Sequence, residues 1–430
     1  MNYDVIVVGG GPVGCAVARD IAKAGYRVLV LEEHQEIGAP VQCAGLISKR
    51  ALKISRVPST VVLNQLNGMV VYGPWKSNLE LEGRKVYALA IDRLAFDCSL
   101  AEQAKEAGAE IRCGRRAVKF AYVPEGILVE AKNRAGESIF FSGRLLIGAD
   151  GHNSVVAHWL GIPRPQEKVS LYAAEVWWPE QNGRLAHIFL DRDLAPGWFG
   201  WIFPAGHNRA RVGIGRSPLV AEGREASRRL LFNQLKDKYP LLFREMKVLQ
   251  NTSGTIPIGF LRQTYAAHVM LIGDAAAHLK PVSGGGLYFG LRAGELCADT
   301  AIRALQAQNF TPDFLKIYQK KWEAAMGQEI SCGLKLRELF LKMKNEEIEF
   351  LLGFFNKPLW RKLILKYGDL DYHSRLAARL ATALPWARLP VRLAGRYSIK
   401  QETSDRLPGL SVRLSGEDSG NMVNVLQPDR

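Results

Sequence analysis

Apolar and polar positions along the chain fall into a few regular blocks. The first is a β-branched run, Val5-Ile6-Val7-Val8, followed by Gly9-Gly10-Gly11-Pro12-Val13-Gly14 and a segment of helical composition from Cys15 to Ala24. A second apolar run, Arg27-Val28-Leu29-Val30-Leu31, ends on Glu32-Glu33. This pattern predicts a buried strand, a tight turn, a helix and a second buried strand. Two later runs of the same kind end in acidic turns: Arg144-Leu145-Leu146-Ile147-Gly148-Ala149-Asp150-Gly151 and Val269-Met270-Leu271-Ile272-Gly273-Asp274-Ala275-Ala276. Between them, Phe199-x-Trp201-x-Phe203 alternates at period two, which puts three rings on one face of a strand. Turn residues punctuate the surrounding region at Gly73-Pro74, Pro163, Pro179 and Pro204-Ala205-Gly206. After about residue 330 the pattern turns helical and basic, and past Gln401 it is polar, Gly-bearing and aperiodic, which predicts a flexible tail. No internal repeat is present.

The N-terminal block has the chemistry of a nucleotide site. Gly9 allows a tight turn, Gly11 lets a pyrophosphate approach the backbone, and Gly14 lets the helix pack on the strand. Bare amides at the helix N-terminus then face the phosphates. Glu32 falls about 20 residues on, where a carboxylate accepts hydrogen bonds from ribose hydroxyls, and Asp20 comes too early for that role. The turn alone serves NAD and FAD equally. Asp150 and Asp274, each taken singly, read as well as a helix N-cap or turn carboxylate as they do as a nucleotide contact.

Composition changes this picture little. The 430 residues are 47% hydrophobic with 41 Gly and 20 Pro, enough apolar material for two or three structural units. A formal charge of +15 favours polyanions, whether nucleic acid, an anionic membrane face or phosphorylated substrates. No nucleic-acid-binding motif accompanies that charge. Six scattered cysteines lack the paired spacing of zinc or iron–sulfur sites and read as free thiols in a reducing cytosol. The N-terminal apolar stretch carries Gly and Pro at its centre, unlike a signal peptide. Its uncharged part, Val5 to Ala18, is shorter than the roughly 20 residues that span a bilayer.

The order of a Gly-rich turn, a strand ending Ala-Asp-Gly and a strand ending Gly-Asp-Ala-Ala resembles the para-hydroxybenzoate hydroxylase superfamily of FAD enzymes. That resemblance implies FAD as cofactor, with Asp274 on its ribitol chain. Pro281-Val282-Ser283-Gly284-Gly285-Gly286-Leu287 would open another helix, and Gly285, Gly286 and Leu287 would turn amides to the flavin ring or pyrophosphate. Ile91-Asp92-Arg93-Leu94-Ala95-Phe96-Asp97 resembles the segment that begins a helix with a phosphate-facing arginine, making Arg93 a cofactor contact; its other reading is a surface salt bridge. Gly9, Gly11, Gly14, Glu32, Val118 and Asp150 complete the implied cofactor set, with Cys43, Ala44 and Gly45 from the stretch described next.

Within the superfamily the chain is most similar to the geranylgeranyl reductases. Glu36-Ile37-Gly38-Ala39-Pro40-Val41-Gln42-Cys43-Ala44-Gly45-Leu46 resembles the family loop that brings a cysteine to the flavin. Pro196 to Pro204 follows its Pro-x-x-Tyr-x-Trp-x-Phe-Pro pattern with Phe199 in place of Tyr, and Gly273 to Gly290 follows its Gly-Asp motif with an aromatic at Tyr288. The resemblance covers roughly residues 1 to 330. It implies an α/β fold: a Rossmann-like FAD domain of the glutathione reductase type (1–60, 91–165, 262–330), an inserted mixed or antiparallel substrate sheet (61–90, 166–261), and a helical basic C-terminal part (331–400) ahead of the tail (401–430).

The implied reaction is saturation of isoprenoid double bonds. Reduced FAD would give a hydride to one alkene carbon while Tyr288, Cys43 or a bound water protonates the other. Phe199, Trp201, Phe203 and Tyr288 would line an apolar tunnel. The same rings also read as core packing, and an isolated Cys43 as an inert core residue. The chain substrate could be a membrane lipid, a quinone tail, or a prenyl alcohol or diphosphate, and the electron donor NAD(P)H or ferredoxin. Two rival readings share the scaffold: an aromatic monooxygenase or halogenase, and an electron-transfer module to quinone. From Leu351 to Lys400 there are 10 Lys and Arg against 2 Asp. Phe354 to Tyr367 mixes aromatic, aliphatic and cationic residues as interfacial helices do, so this part either meets an anionic membrane or packs as a helix hairpin. The expected location is the cytoplasm, with peripheral attachment to the inner membrane face as an option, and the expected state a monomer.

Overall fold

The computed structural model describes residues 2–75, 77–165, 167–179, 183–220 and 228–383; the predicted tail, 401–430, lies outside them, as do 384–400. The first strand, Asn2–Val8, lies between two parallel neighbours, Val28–Leu31 and Ser138–Gly148. Glu110–Arg112 extends the sheet on one side, and Val269–Leu271 with Tyr265–Ala266 on the other. Both faces are covered, which is why residues 5–8, 28–31, 145–147 and 269–271 are unbroken apolar runs. Val5 and Val7 pack beneath the helices Pro12–Lys23 and Leu287–Ala307, whereas Ile6 and Val8 face the opposite layer with Phe120 and Val129.

The first helix starts at Pro12, three residues ahead of the predicted segment, with Gly11 as its N-cap. Proline fits the first helical position because its missing N–H would have no partner there. The second glycine run behaves likewise: helix Leu287–Ala307 begins directly after Gly286.

A seven-stranded sheet forms the second unit, in the order Lys247–Ile258, Glu167–Trp177, Arg209–Arg216, Gly200–Gly206, Leu185–Phe189, Gly68–Tyr72, Asn78–Glu82. All pairings are antiparallel except Leu185–Phe189 with Gly68–Tyr72. Residues 61–90 divide between two sheets. Their central hairpin joins the large sheet, while Val62–Leu66 and Ala88–Ile91 form a three-stranded sheet with Leu46–Ile47.

Ile202, Val212 and Ile214 on one face of the large sheet pack under the Arg228–Lys238 helix. Trp201 and Phe203 on the other face meet Ala44, Leu46 and Leu279 of the nucleotide domain. The helices Gln328–Lys342, Asn345–Phe355, Pro358–Tyr367 and His373–Ala383 close the C-terminal side. This is the fold class the resemblance implies.

Candidate flavin site

The glycine turn is built by close approach. Gly9 has φ +102°, and a Cβ there would lie 2.3 Å from the Ala149 carbonyl oxygen. A Cβ on Gly14 would lie 2.0 Å from the Gly9 carbonyl oxygen, so strand and helix touch through bare backbone. A Cβ on Gly11 would meet no protein atom within 4 Å, leaving its face of the turn open. Glu32 is held at the end of the second strand: Oε2 accepts from the Gly10 amide (2.7 Å) and Oε1 from the His34 amide (2.9 Å). His34 Nδ1 also lies 2.6 Å from Oε1, so it is Oε2, with one donor, that keeps acceptor capacity for a ribose hydroxyl. Val118 is the extra residue of a β-bulge between Arg116–Val123 and Gly126–Lys132, which takes its backbone out of the ladder.

Asp150 is partly a structural cap. Its Oδ2 accepts from the amides of Val155 (2.7 Å) and Val156 (3.1 Å), while Oδ1 is buried with no partner. Burial raises this carboxyl against the pull of Ser154 and the amides.

Asp274 differs. It sits on the Gly273–Ala276 turn, open to solvent yet walled by protein, and burial raises its carboxyl while Arg93 opposes the shift. A Cβ on Gly286 would come within 3.0 Å of Asp274 Oδ1, so the carboxylate and the start of the Leu287–Ala307 helix share one small space.

Arg93, the first residue of helix Arg93–Glu106, is not a surface salt bridge. Its side chain is 12% exposed and pairs with Asp97 (2.8 Å). Burial acts to lower its guanidinium, but Cys43 and Asp97 beside it prevail and hold it above its ordinary range. Arg93 therefore has Cys43 beside it, and its charge reaches Asp274. The Gly45 amide donates to Cys43 Sγ at 3.3 Å.

Arg211 is a residue that sequence reasoning missed. From strand Arg209–Arg216 it reaches across to the carbonyls of Ala44 (3.1 Å) and Ile91 (2.8 Å), and so ties the Cys43 loop to the large sheet. Its signal was a cation inside a strand whose other two arginines, Arg209 and Arg216, stand at the ends. The same strand makes room for the rings. A Cβ on Gly213 would strike the Trp201 indole at 2.2 Å, and one on Gly215 would strike Trp198 at 2.0 Å.

Phe199, Trp201 and Phe203 form one wall, with ring centroids 6.0 and 6.2 Å apart in succession. Trp201 Nε1 is buried without a partner. Tyr288 is placed elsewhere. It packs beside Phe289 and the cluster around Ile47 and Leu291, and its hydroxyl lies 3.0 Å from that of Tyr372. Residues 369–372 cross between the two places: Leu370 packs against the ring wall, its carbonyl accepts from Lys280 (2.7 Å), and Asp369 pairs with Arg50 (2.8 Å).

An open Gly11 face, an accessible walled carboxylate at Asp274 and a bare helix start at Gly286 fit a dinucleotide with a sugar-alcohol link. Fold and site together define a flavoprotein with a doubly wound nucleotide domain. The model of the FAD binding domain family matches residues 2–294. A digeranylgeranylglycerophospholipid reductase of Methanopyrus kandleri is 31% identical, over 90% of this chain and 99% of that protein. A geranylgeranyl bacteriochlorophyll reductase-like structure from Thermoplasma acidophilum superposes with TM-score 0.82 at 22% identity, covering 91% of this chain and 99% of the other. The p-nitrophenol 4-monooxygenase of Pseudomonas putida shares the fold at TM-score 0.67 and 18% identity, over 85% and 97%. The chain belongs to the FAD-dependent geranylgeranyl reductase family of oxidoreductases.

Proposed function

We propose that this protein saturates carbon–carbon double bonds of an isoprenoid lipid chain, using FAD held at the Gly9–Gly14 turn, Asp274 and the Gly286 helix start. The carrying observation is the ring wall: Trp201 and Phe203 are buried together with Ala44 and Leu46, the residues that follow Cys43. An apolar wall beside the cofactor loop suits a substrate with almost no polar handles. Bound FAD, once reduced by NAD(P)H or ferredoxin, would supply the hydride in this chemistry.

The chain's own residues do the rest. Gly9, Gly11 and Gly14 let the phosphates meet backbone amides, and Glu32 and Asp274 would fix the ribose and ribitol hydroxyls. Val118, Asp150, Gly285 and Leu287 would complete the cofactor contacts. Arg93 and Arg211 hold the Cys43 loop in place. Cys43, on the loop that meets the ring wall, is the proton source we favour, with Tyr288, placed off that wall beside Tyr372, and a bound water as the other candidates. Burial raises the Tyr288 phenol, with Tyr372 adding to the effect, so Tyr288 Oη keeps its proton through neutral pH.

The test is anaerobic. Reduced holoprotein mixed with a geranylgeranyl lipid should reoxidise, and the product should gain pairs of hydrogens by mass spectrometry. Hydroxylated product formed only in air, or rapid quinone reduction without saturation, would remove this reading.

Such a substrate places the work at a lipid surface. In helix Pro358–Tyr367 no residue is fully buried; Leu359 (69%) is exposed close in sequence to Lys357, Arg361 and Lys362, and Phe350 (65%) is exposed on the preceding helix, Asn345–Phe355. The packed-hairpin reading holds for the other side, where Ile364 and Leu365 rest on Leu79 and Leu81. Each cation near an anionic bilayer contributes about 1 kcal/mol. The protein should therefore sediment with phosphatidylglycerol vesicles at low salt and be released at high salt, and Leu359→Ser with Phe350→Ser should reduce recovery several-fold. Equal recovery with neutral vesicles would refute the surface. No described helix is long and apolar enough to cross a membrane.

A further inference from the structure

A cleft of about 480 Å3 opens between the three-stranded sheet and the edge of the large sheet, lined by Val62, Asn64, Asn67, Val86, Arg84 and Arg184 among others. Arg84 lies just after strand Asn78–Glu82, and Arg184 directly precedes strand Leu185–Phe189. Both are exposed, and among the described residues neither guanidinium has an ion pair or side-chain hydrogen bond. Asn67 Oδ1 is buried with no donor, while its Nδ2 donates weakly to Glu82 at 3.4 Å, a carboxylate near the cleft.

The cleft adjoins the ring wall. Its floor strand, Val62–Leu66, ends on Leu66, which is 1% exposed in the cluster of Trp201 and Phe203. Asn64 Nδ2 donates to the carbonyls of Gly183 (2.6 Å) and Pro204 (3.2 Å), and Pro204 directly follows Phe203. Two unpaired guanidiniums therefore stand near one end of an apolar strand about 17 Å along, at roughly 3.3 Å per residue from Phe199 to Pro204.

We propose that this cleft binds the phosphate headgroup of the isoprenoid substrate, with the chain running along the wall. Arginine presents forked donors that match phosphate oxygens. A glycerol or other headgroup hydroxyl would satisfy Asn67 Oδ1, as buried acceptors require. The proposal rests on the prenyl-reductase reading and adds the headgroup to it.

The test compares geranylgeranyl phosphate with geranylgeraniol, two substrates with the same chain. In Arg84→Ala/Arg184→Ala, KM for the phosphate should rise roughly 10- to 100-fold, the size of lost charge-assisted bonds, with KM for the alcohol within about twofold. KM values that are both unchanged, or that rise together, would overturn the headgroup site. If inorganic phosphate alters alcohol turnover in the parent protein but not in the variant, the cleft is a free-phosphate site and the headgroup assignment fails. Should neither compound be reduced, the function reading falls by itself. Calorimetric binding of geranylgeranyl phosphate to oxidised parent and variant holoproteins then still decides the cleft: it stands if only the parent binds and falls if the two bind alike.

Discussion

Gly14→Val is expected to yield protein without bound flavin, with FAD affinity lowered at least about 100-fold and folding stability reduced by about 3 kcal/mol. The first carbon added to Gly14 would already lie 2.0 Å from the Gly9 carbonyl oxygen, and the valine branch adds to the clash. That carbonyl cannot retreat easily, because Gly9 itself touches Ala149 at the end of the neighbouring strand. Strand and helix must separate, and the amides that would face the pyrophosphate move with them. Two companions sort the causes. Gly11→Ala meets no protein atom, so it should fold normally and still weaken FAD, reporting space the cofactor needs. Gly353→Ala, inside helix Asn345–Phe355 with open space around it, should leave FAD binding unchanged and raise stability by a few tenths to about 1 kcal/mol. Flavin absorbance after gel filtration and a urea titration measure both quantities. Full flavin content in Gly14→Val would refute the account.

Arg337→Met should destabilise the protein by about 3–5 kcal/mol, because it leaves a buried carboxylate unpaired. Arg337 comes from helix Gln328–Lys342 and is 4% exposed. It makes a forked pair with Glu167, with Nε to Oε2 at 2.7 Å, donates to the Gly197 carbonyl at 3.1 Å, and lies 4.7 Å over the Trp198 ring. Ser217 completes the set by donating to Glu167. The C-terminal helix thus clamps the Pro196-Gly197-Trp198 turn that leads into the ring wall. Replacing both partners, Arg337→Met with Glu167→Met, should recover most of the loss, since no charge is then left buried alone. Denaturant midpoints of the three variants provide the check. If the single change costs under 1 kcal/mol, the clamp carries no weight.

Much of this molecule was legible in one dimension. The Gly9–Gly14 turn, the two buried strands around it and the acid at Glu32 declare themselves because each requirement is local: a positive φ, a missing side chain, an unbroken apolar run. Period-two alternation at Phe199, Trp201 and Phe203 was equally readable, since it follows from strand geometry alone. The roles of the two aspartates were not. Asp150 and Asp274 follow almost the same strand pattern, yet one spends an oxygen capping a short helix while the other stands open beside Gly286 and Arg93.

Tyr288 shows the same limit from the other side. Its place in a family motif suggested the substrate wall, but the start of its helix directs it to Tyr372, a residue from 84 positions further along the chain. Arg211, the clearances at Gly213 and Gly215, and the Arg337–Glu167 clamp join segments far apart in sequence. By itself the sequence determined the nucleotide turn and the apolar stripe, both consequences of short-range sterics and periodicity, while the fold class followed from the resemblance its motifs carry. Tertiary structure decided which charged and aromatic groups meet, because contact between distant segments depends on how whole sheets and helices pack, and no local pattern carries that information.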